Sequence, residues 1–204
     1  MSGETMANDP SLMDTKLVRL ARTGDEQAAA RLYHRHADAV HRICYRVLLD
    51  AAAAKDCGQD VWYKVFRQLH RFDANKSFAG WLKTIAVRTA IDHYRKRGGI
   101  KHVGMDESAL EMFHFEPESA RQGIDDRETQ RQIEAALATL SVTQRAAFVM
   151  RHFEGESIEA IARQLNCRSG TVNTHIYRAV KALREKLAPL KEVIDHADRS
   201  ASHP

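Results

Sequence analysis

KDCGQDVWYKVFRQLHRFDANKSFAGWLKTIAVRTAIDHYRKR, residues 55–97, holds both tryptophans, three of the seven phenylalanines and a dense set of cations. In its first half Val61, Trp62, Val65, Phe66 and Leu69 recur at helical intervals and predict an apolar stripe along a helix. Gln59, Asp60, Tyr63, Lys64 and Arg67 make the other face. Turn chemistry at Asp73, Asn75 and Ser77 interrupts the pattern, and the Ser77 hydroxyl is placed to cap a second helix. In that helix Phe78, Trp81, Leu82 and Ile85 are expected to face inward, with Thr84, Arg88, Asp92 and Arg95 forming a polar strip beside them. Basic and aromatic groups are interleaved on a helical hairpin. Such a hairpin suits a solvated amphipathic pair with core tryptophans, and it equally suits aromatics that stack on unpaired bases, since every base has a π-face. Periodicity leaves both open.

The strings QDVWYKVFRQLHRF and FAGWLKTIAVRTAIDHYRKR resemble region 2 of a bacterial sigma factor of the extracytoplasmic-function group. The usual pattern there is an acidic pair, Gln-Glu-Val-Phe, a Trp-Arg step and Phe-x-x-Trp-Leu. Here Lys55-Asp56 stands for the acidic pair, Asp60 for Glu and Trp62 for Phe.

Length and composition agree with a helical protein of this kind. The 204 residues suffice for one ordinary domain or two small ones, and 44% hydrophobic residues can build a core. Long runs of alternating valine and threonine are missing, so the expected fold class is all-α. The resemblance, with a composition change at Gly98-Gly99, implies two small helical domains joined by a flexible acidic linker. A formal charge of +4 fits a polyanion partner without requiring one. Cys44, Cys57 and Cys167 are widely spaced and form no CxxC pair, which predicts free thiols rather than a disulfide framework or a zinc site. His34, His36 and His41 do not share a helix face as an i, i+4 pair does, so no metal site is expected. No run approaches the roughly 20 apolar residues that span a bilayer. MSGETMANDP also lacks the cationic start and apolar core of a signal peptide, so a cytoplasmic location without membrane insertion is expected.

In chain order, residues 1–10 are polar and read as disordered, and the first domain is expected over 11–97. Leu12, Leu17, Val18, Leu20 and Ala21 begin a short helix that Gly24 ends, with Asp25 capping the next. That second helix, 26–49, is expected to bury Ala29, Leu32, Tyr33, Val40, Ile43, Cys44, Val47 and Leu48. Gly98-Gly99 opens a linker over 98–125. Six acids (Asp106, Glu107, Glu111, Glu116, Glu118, Asp125) stand against Lys101 and Arg121 in it, a net of four negative charges.

The second domain is expected over 126–188, with a tail over 189–204. Ile133, Ala136, Leu137 and Leu140 mark a short helix, and Ser141-Val142-Thr143-Gln144 has the form of a capping box for the next. Phe148, Val149 and Phe153 should supply its apolar face, with Gly155 stopping it. Ser157 to Leu187 reads as a helix-turn-helix: Ile158, Ile161, Ala162 and Leu165 in the first helix, Asn166–Gly170 as the turn, Thr171 onward as the second helix. Val172, Ile176, Ala179, Leu183 and Leu187 then face the core, while Thr171, Thr174, Tyr177, Arg178 and Lys181 point outward with Asn173 and His175 on the flanks. A helix of this kind enters a major groove amino end first. From pattern alone a simple helical bundle remains open. ALATLSVTQRAAFVMRHFEGESIEAIARQLNCRSGTVNTHIYRAVKALREKL, however, resembles sigma region 4, through Gln144-Arg145, Glu154-Gly155-Glu156-Ser157, Ile161-Ala162, Gly170-Thr171-Val172 and Arg178-Ala179. Region 4 alone is shared with many response-regulator output domains, and its pairing with region 2 is the specific feature. Where the family often has Lys-Ser-Arg after Gly-Thr-Val, this chain has Asn173-Thr174-His175, so its base preference should differ from that of a Lys/Arg reader.

The resemblance implies a promoter-specificity subunit that does no bond chemistry and needs no cofactor. Its implied partners are core RNA polymerase, promoter DNA and an anti-sigma factor. Asp56, Gln59, Asp60, Tyr63, Lys64 and Arg67 would meet the core enzyme. Asp73, Asn75, Lys76, Ser77, Phe78, Trp81, Lys83, Thr84, Arg88 and Arg95 would meet the minus-ten element, with the turn 72–78 as a pocket for a flipped base. Arg168, Ser169, Thr171, Asn173, Thr174, His175, Arg178 and Lys181 would meet the minus-thirty-five element. A helix-turn-helix repressor or activator acting without the core enzyme is the alternative, and it leaves the aromatic-basic hairpin unexplained. An enzyme is disfavoured because HExxH, GxSxG and GxxxxGK[ST] are all missing.

Overall fold

The computed structural model describes residues 10–98 and 126–201, with side chains over 12–98 and 131–188. The expectations for residues 1–9 and for nearly all of the acidic linker fall outside those bounds. Contacts divide the chain into two compact units, Met1–Lys101 and His102–Pro204, and every described regular element is helical.

The first unit is built from α1 (Pro10–Arg22), α2 (Glu26–Leu48), α3 (Ala51–Gln68) and α4 (Phe78–Lys96), with a 3₁₀ turn, Leu69–Arg71, closing α3. α2 packs against each of the other three helices, and α3 packs against α4. Gly24 takes φ +91 between α1 and α2, and Asp25 caps α2 by accepting from the Ala28 N–H at 2.9 Å, as its position predicts. α2 ends at Leu48 because Leu49 adopts a left-handed φ of 55 and its N–H returns to the Tyr45 carbonyl. Asp50 then caps α3 at the Ala53 N–H, 2.7 Å away. α3 thus starts at Ala51, ten residues before Val61, the first residue of the apolar stripe. The signal was present as a capping acid followed by four alanines.

Burial corrects several inward assignments. In α1 Leu17 and Val18 are buried, whereas Leu12 and Leu20 are exposed. In α2 Ala28 is buried and Ala29 only half-buried, and Tyr33 is 43% exposed. Phe66 of α3 is 38% exposed because it lies 100° around the helix from buried Val65, at the edge of the stripe. In α4 Trp81 and Ile85 are half-buried, and Leu82, Ala86, Val87 and Ala90 form the covered face instead. α4 packs against both α2 and α3, and small residues admit that close approach.

The second unit comprises α5 (Asp126–Ala138), α6 (Val142–His152), α7 (Ile158–Leu165) and α8 (Ser169–Ala201), with α8 packed on the other three. The Ser141–Gln144 capping box forms in both directions. α6 buries Ala146, Ala147, Val149 and Met150, leaving Phe148 and Phe153 half-buried, and Ile133 of α5 is likewise half-buried. α6 ends at His152, and Gly155 takes φ +68 just beyond it. Asn166 closes α7 in the left-handed region, and α8 starts at Ser169, two residues before the Thr171 start read from the sequence. Val172 and Ala179 are fully buried, Leu183 nearly so, and Ile176 and Leu187 half-buried. At its other end α8 runs on to Ala201, past the expected domain end at 188.

Cys44 and Cys57 are buried free thiols, as expected, whereas Cys167 is half-buried. A hydrogen bond with Cys57, together with burial, pushes the Cys44 thiol well above its ordinary value.

Candidate nucleic-acid interface

The candidate contact residues lie on three surfaces. The first is the turn between α3 and α4. Phe72 leaves the 3₁₀ turn in an extended conformation, and Asp73 then organises the path of the chain into α4. Its Oδ1 accepts from the Asn75 N–H at 3.0 Å, and its carbonyl accepts from the Lys76 N–H at 2.9 Å. Ser77 Oγ accepts from the Gly80 N–H at 3.2 Å as the α4 cap. Asp73 and Ser77 therefore use their side-chain acceptors to shape the turn. Asn75 and Lys76 stand out from it; the Lys76 side chain is 75% exposed, with its ammonium 3.9 Å from Asp73.

Behind this polar turn lies an aromatic wall. Phe72 meets Trp81 at 5.0 Å and Phe78 edge-on at 5.8 Å between ring centroids. Phe78 is only 3% exposed and packs on His36, which agrees with the inward reading of its spacing and makes it a buried support rather than the surface contact the resemblance implied. Trp81 is half-buried. Farther along α4, Thr84 is half-buried and donates to the Gly80 carbonyl at 3.0 Å. Lys83 is also half-buried, and Arg88 and Arg95 are exposed on the same strip.

The outer face of α3 is the second surface. Asp56, Gln59, Asp60, Tyr63 and Arg67 are exposed, Tyr63 to 66%. Lys64 is half-buried and donates to the hydroxyl of buried Thr89 at 3.0 Å. His93 lies 2.7 Å from Asp60. Two of the six candidates thus also tie α3 to α4. An open depression of about 510 Å³ is lined by Asp60, Tyr63, Lys64, Arg67 and, beyond the candidate set, Gln68, His70 and Arg71. The aromatic group Tyr33, Trp62 and Phe66 was also missed as a unit; Trp62 sits 5.1 Å from Tyr33 and stacks on Phe66 at 5.6 Å. No local signal joins Tyr33 to the other two, since they meet only once α2 and α3 pack.

The third surface is the amino half of α8. Arg168, Thr171, Asn173, Thr174, Arg178 and Lys181 are exposed, whereas Ser169 and His175 are half-buried. Thr174 turns its hydroxyl back to the Gly170 carbonyl at 3.0 Å. Tyr177, 69% exposed, faces outward with them although it was not among the candidate contacts. Burial and then the Arg178 charge push the His175 imidazole below its ordinary value, and its Nδ1 is shielded with no hydrogen-bond partner. Among the described residues no group of His, Cys, Asp and Glu is placed to hold a metal, and no helix is long and apolar enough to cross a membrane.

Residues 32–100 match the Sigma-70 region 2 family and residues 130–183 the Sigma-70, region 4 family. The chain belongs to the sigma-70 family. Among its relatives, the RNA polymerase sigma-H factor of Pseudomonas aeruginosa is 32% identical over 184 residues, covering 87% of this chain and 95% of that one. The ECF RNA polymerase sigma-E factor of Escherichia coli is 30% identical over 186 residues, covering 88% and 96%. Bacillus subtilis SigW, also an ECF RNA polymerase sigma factor, is 26% identical over 185 residues, covering 88% and 99%. This chain is accordingly an RNA polymerase sigma factor of the ECF type.

Solved structures share the sigma fold. RpoE of Bartonella quintana, in complex with the anti-sigma factor NepR, gives a TM-score of 0.62 at 23% identity over 78% of this chain and 96% of that one. CnrH, in complex with the cytosolic domain of CnrY, also gives 0.62, at 21% identity over 87% and 98%. The region 2 match opens within α2, so α1 lies before it.

Proposed function

We propose that this sigma factor divides promoter recognition between two differently built readers. The outer face of α3, through Asp56, Gln59, Asp60, Tyr63, Lys64 and Arg67, docks on core RNA polymerase. The turn 73–77 takes a flipped base of the minus-ten element, with Asn75 and Lys76 as its contacts and Asp73 and Ser77 as its frame. Trp81, Lys83, Thr84, Arg88 and Arg95 continue that surface along the opened strand. α8 reads the minus-thirty-five duplex through Thr171, Asn173 and Thr174, with Arg168, Arg178 and Lys181 on phosphates and Ser169 and His175 at the margin. The protein acts by binding, in the cytoplasm where polymerase and chromosome are.

The observation that carries this reading is the turn: two outward polar side chains are presented by a hydrogen-bonded loop over packed aromatics. Extruding a base costs a few kcal/mol, and stacking with edge hydrogen bonds in a fitted pocket offsets it without nucleotide fuel. An anti-sigma factor is the proposed regulator, consistent with the partner named for the Bartonella quintana neighbour. In vitro transcription with core polymerase on a randomised promoter library tests the reading. Enrichment of two separated elements supports it, whereas a two-fold symmetric footprint formed without polymerase contradicts it.

A further inference from the structure

Arg22 is the last residue of α1, yet its partners lie far along the chain, where α3 ends. Its Nε donates to the Leu69 carbonyl at 2.9 Å, and a terminal guanidinium nitrogen donates to the Phe72 carbonyl. The guanidinium carbon also sits 6.0 Å from the centroid of the Phe72 ring. Carbonyls at a helix end lack intrahelical donors, and a cation there complements the helix dipole. The Leu69 carbonyl also accepts from the Phe72 N–H at 3.2 Å, so Arg22 is its second donor, while the Phe72 carbonyl lies just past the helix end. A planar guanidinium reaches both at once, which an ammonium on a flexible stem does not reproduce.

The second carbonyl belongs to Phe72, the residue at which the chain turns out of α3 and into Asp73. Arg22 therefore sets the direction of the chain as it enters the turn. Asp14, on the same helix and only 5% exposed, accepts from Arg35 at 3.1 Å and lies 2.9 Å from His36. The His36 ring rests on Phe78, 5.4 Å between centroids, at the other end of the turn. One helix thus holds the backbone before the turn directly and supports the aromatic after it through one intermediary.

We infer that Arg22 is a positioning residue for base selection in the minus-ten element, acting through the conformation of the turn 73–77. The inference rests on the reading of that turn as the base-selecting element. A helix-capping arginine with a purely structural role would weaken the whole unit. A positioning role predicts a narrower defect: lost discrimination at the base that Asn75 selects, with polymerase docking retained.

The test is transcription by the full-length chain with core polymerase on promoters carrying each single substitution across the minus-ten element. Wild type is compared with Arg22→Ala, Arg22→Lys, Asn75→Ala and the double Arg22→Ala/Asn75→Ala. Asn75→Ala should flatten discrimination at one base by at least about fivefold. Arg22→Ala should flatten the same base, with core affinity and minus-thirty-five preference within about twofold of wild type, and the double variant should be no flatter than the worse single one. Arg22→Lys, which keeps the charge without the planar fork, should remain flattened.

If Asn75→Ala flattens discrimination and Arg22→Ala does not, the inference fails while the reading of the turn stands. If neither alters base preference, the reading fails and takes the inference with it. Equal losses on every promoter with weakened core binding would reduce Arg22 to a structural cap. Should Arg22→Ala not fold, full discrimination by Arg22→Lys would overturn the inference by itself.

Discussion

The two surfaces proposed to read DNA are built differently. In region 4 the candidate reader is the exposed flank of a continuous helix, α8, held by fully buried Val172 and Ala179 on its other side. Its side-chain directions follow from helical periodicity alone. In region 2 the candidate reader is a five-residue turn, 73–77, whose shape depends on Asp73, on Ser77 and on contacts from α1 and α2 at either end. A helix face tolerates replacement of one reading residue without losing its geometry, whereas a turn supported from behind is sensitive to residues that never touch the ligand.

That contrast can be broken by removing supports rather than contacts. Phe72→Ala should give the largest effect, about 3–5 kcal/mol of lost stability from the vacated aromatic wall, measured by urea unfolding. It should also abolish minus-ten discrimination. Asn173→Ala comes next: it should cost about 1–3 kcal/mol at particular base pairs of the minus-thirty-five element, read from binding to a promoter series, without altering stability. Arg178→Ala should weaken all sequences alike and lower the salt dependence of duplex binding by about one phosphate contact.

The smallest effect concerns pH. Burial pushes the His152 and His175 imidazoles down, with neighbouring Arg151 and Arg178 adding to it, so the folded state favours their neutral forms. The unfolded chain then binds more protons below its ordinary value of about 6.5, and stability should be full above that pH and decline as pH falls through it. Both rings keep solvent contact, so the slope should be shallow. Thermal unfolding between pH 7.5 and 5 checks it, with His152→Gln/His175→Gln expected to flatten the slope.

Legibility in the sequence follows the same division. The capping box at Ser141–Gln144, the cap at Asp25, the cap at Ser77 and the outward set on α8 are local patterns, and each stands where the residues suggested. The spacing of Phe78 reads it as inward, and it is indeed buried against His36; its role as a minus-ten contact comes from the resemblance alone, which carries no information on packing. Tyr33 and Phe66 were misread as core, because apolar character at helical spacing does not show where the neighbouring helices stop covering a face. Arg22 and Asp14 carried no signal at all. Their partners lie tens of residues away or on another helix, and only packing brings a helix-end arginine to the carbonyls of Leu69 and Phe72.

Selection by polymerase from a promoter library randomised at both elements, using wild type, Asn75→Ala and Asn173→Ala in parallel, decides between a turn reader and a helix reader at each position. Asn75→Ala should change the enriched bases of the minus-ten element alone, and Asn173→Ala those of the minus-thirty-five element alone. Unchanged minus-ten preferences for Asn75→Ala, with transcription intact, would contradict the assignment of the turn as the base-selecting element.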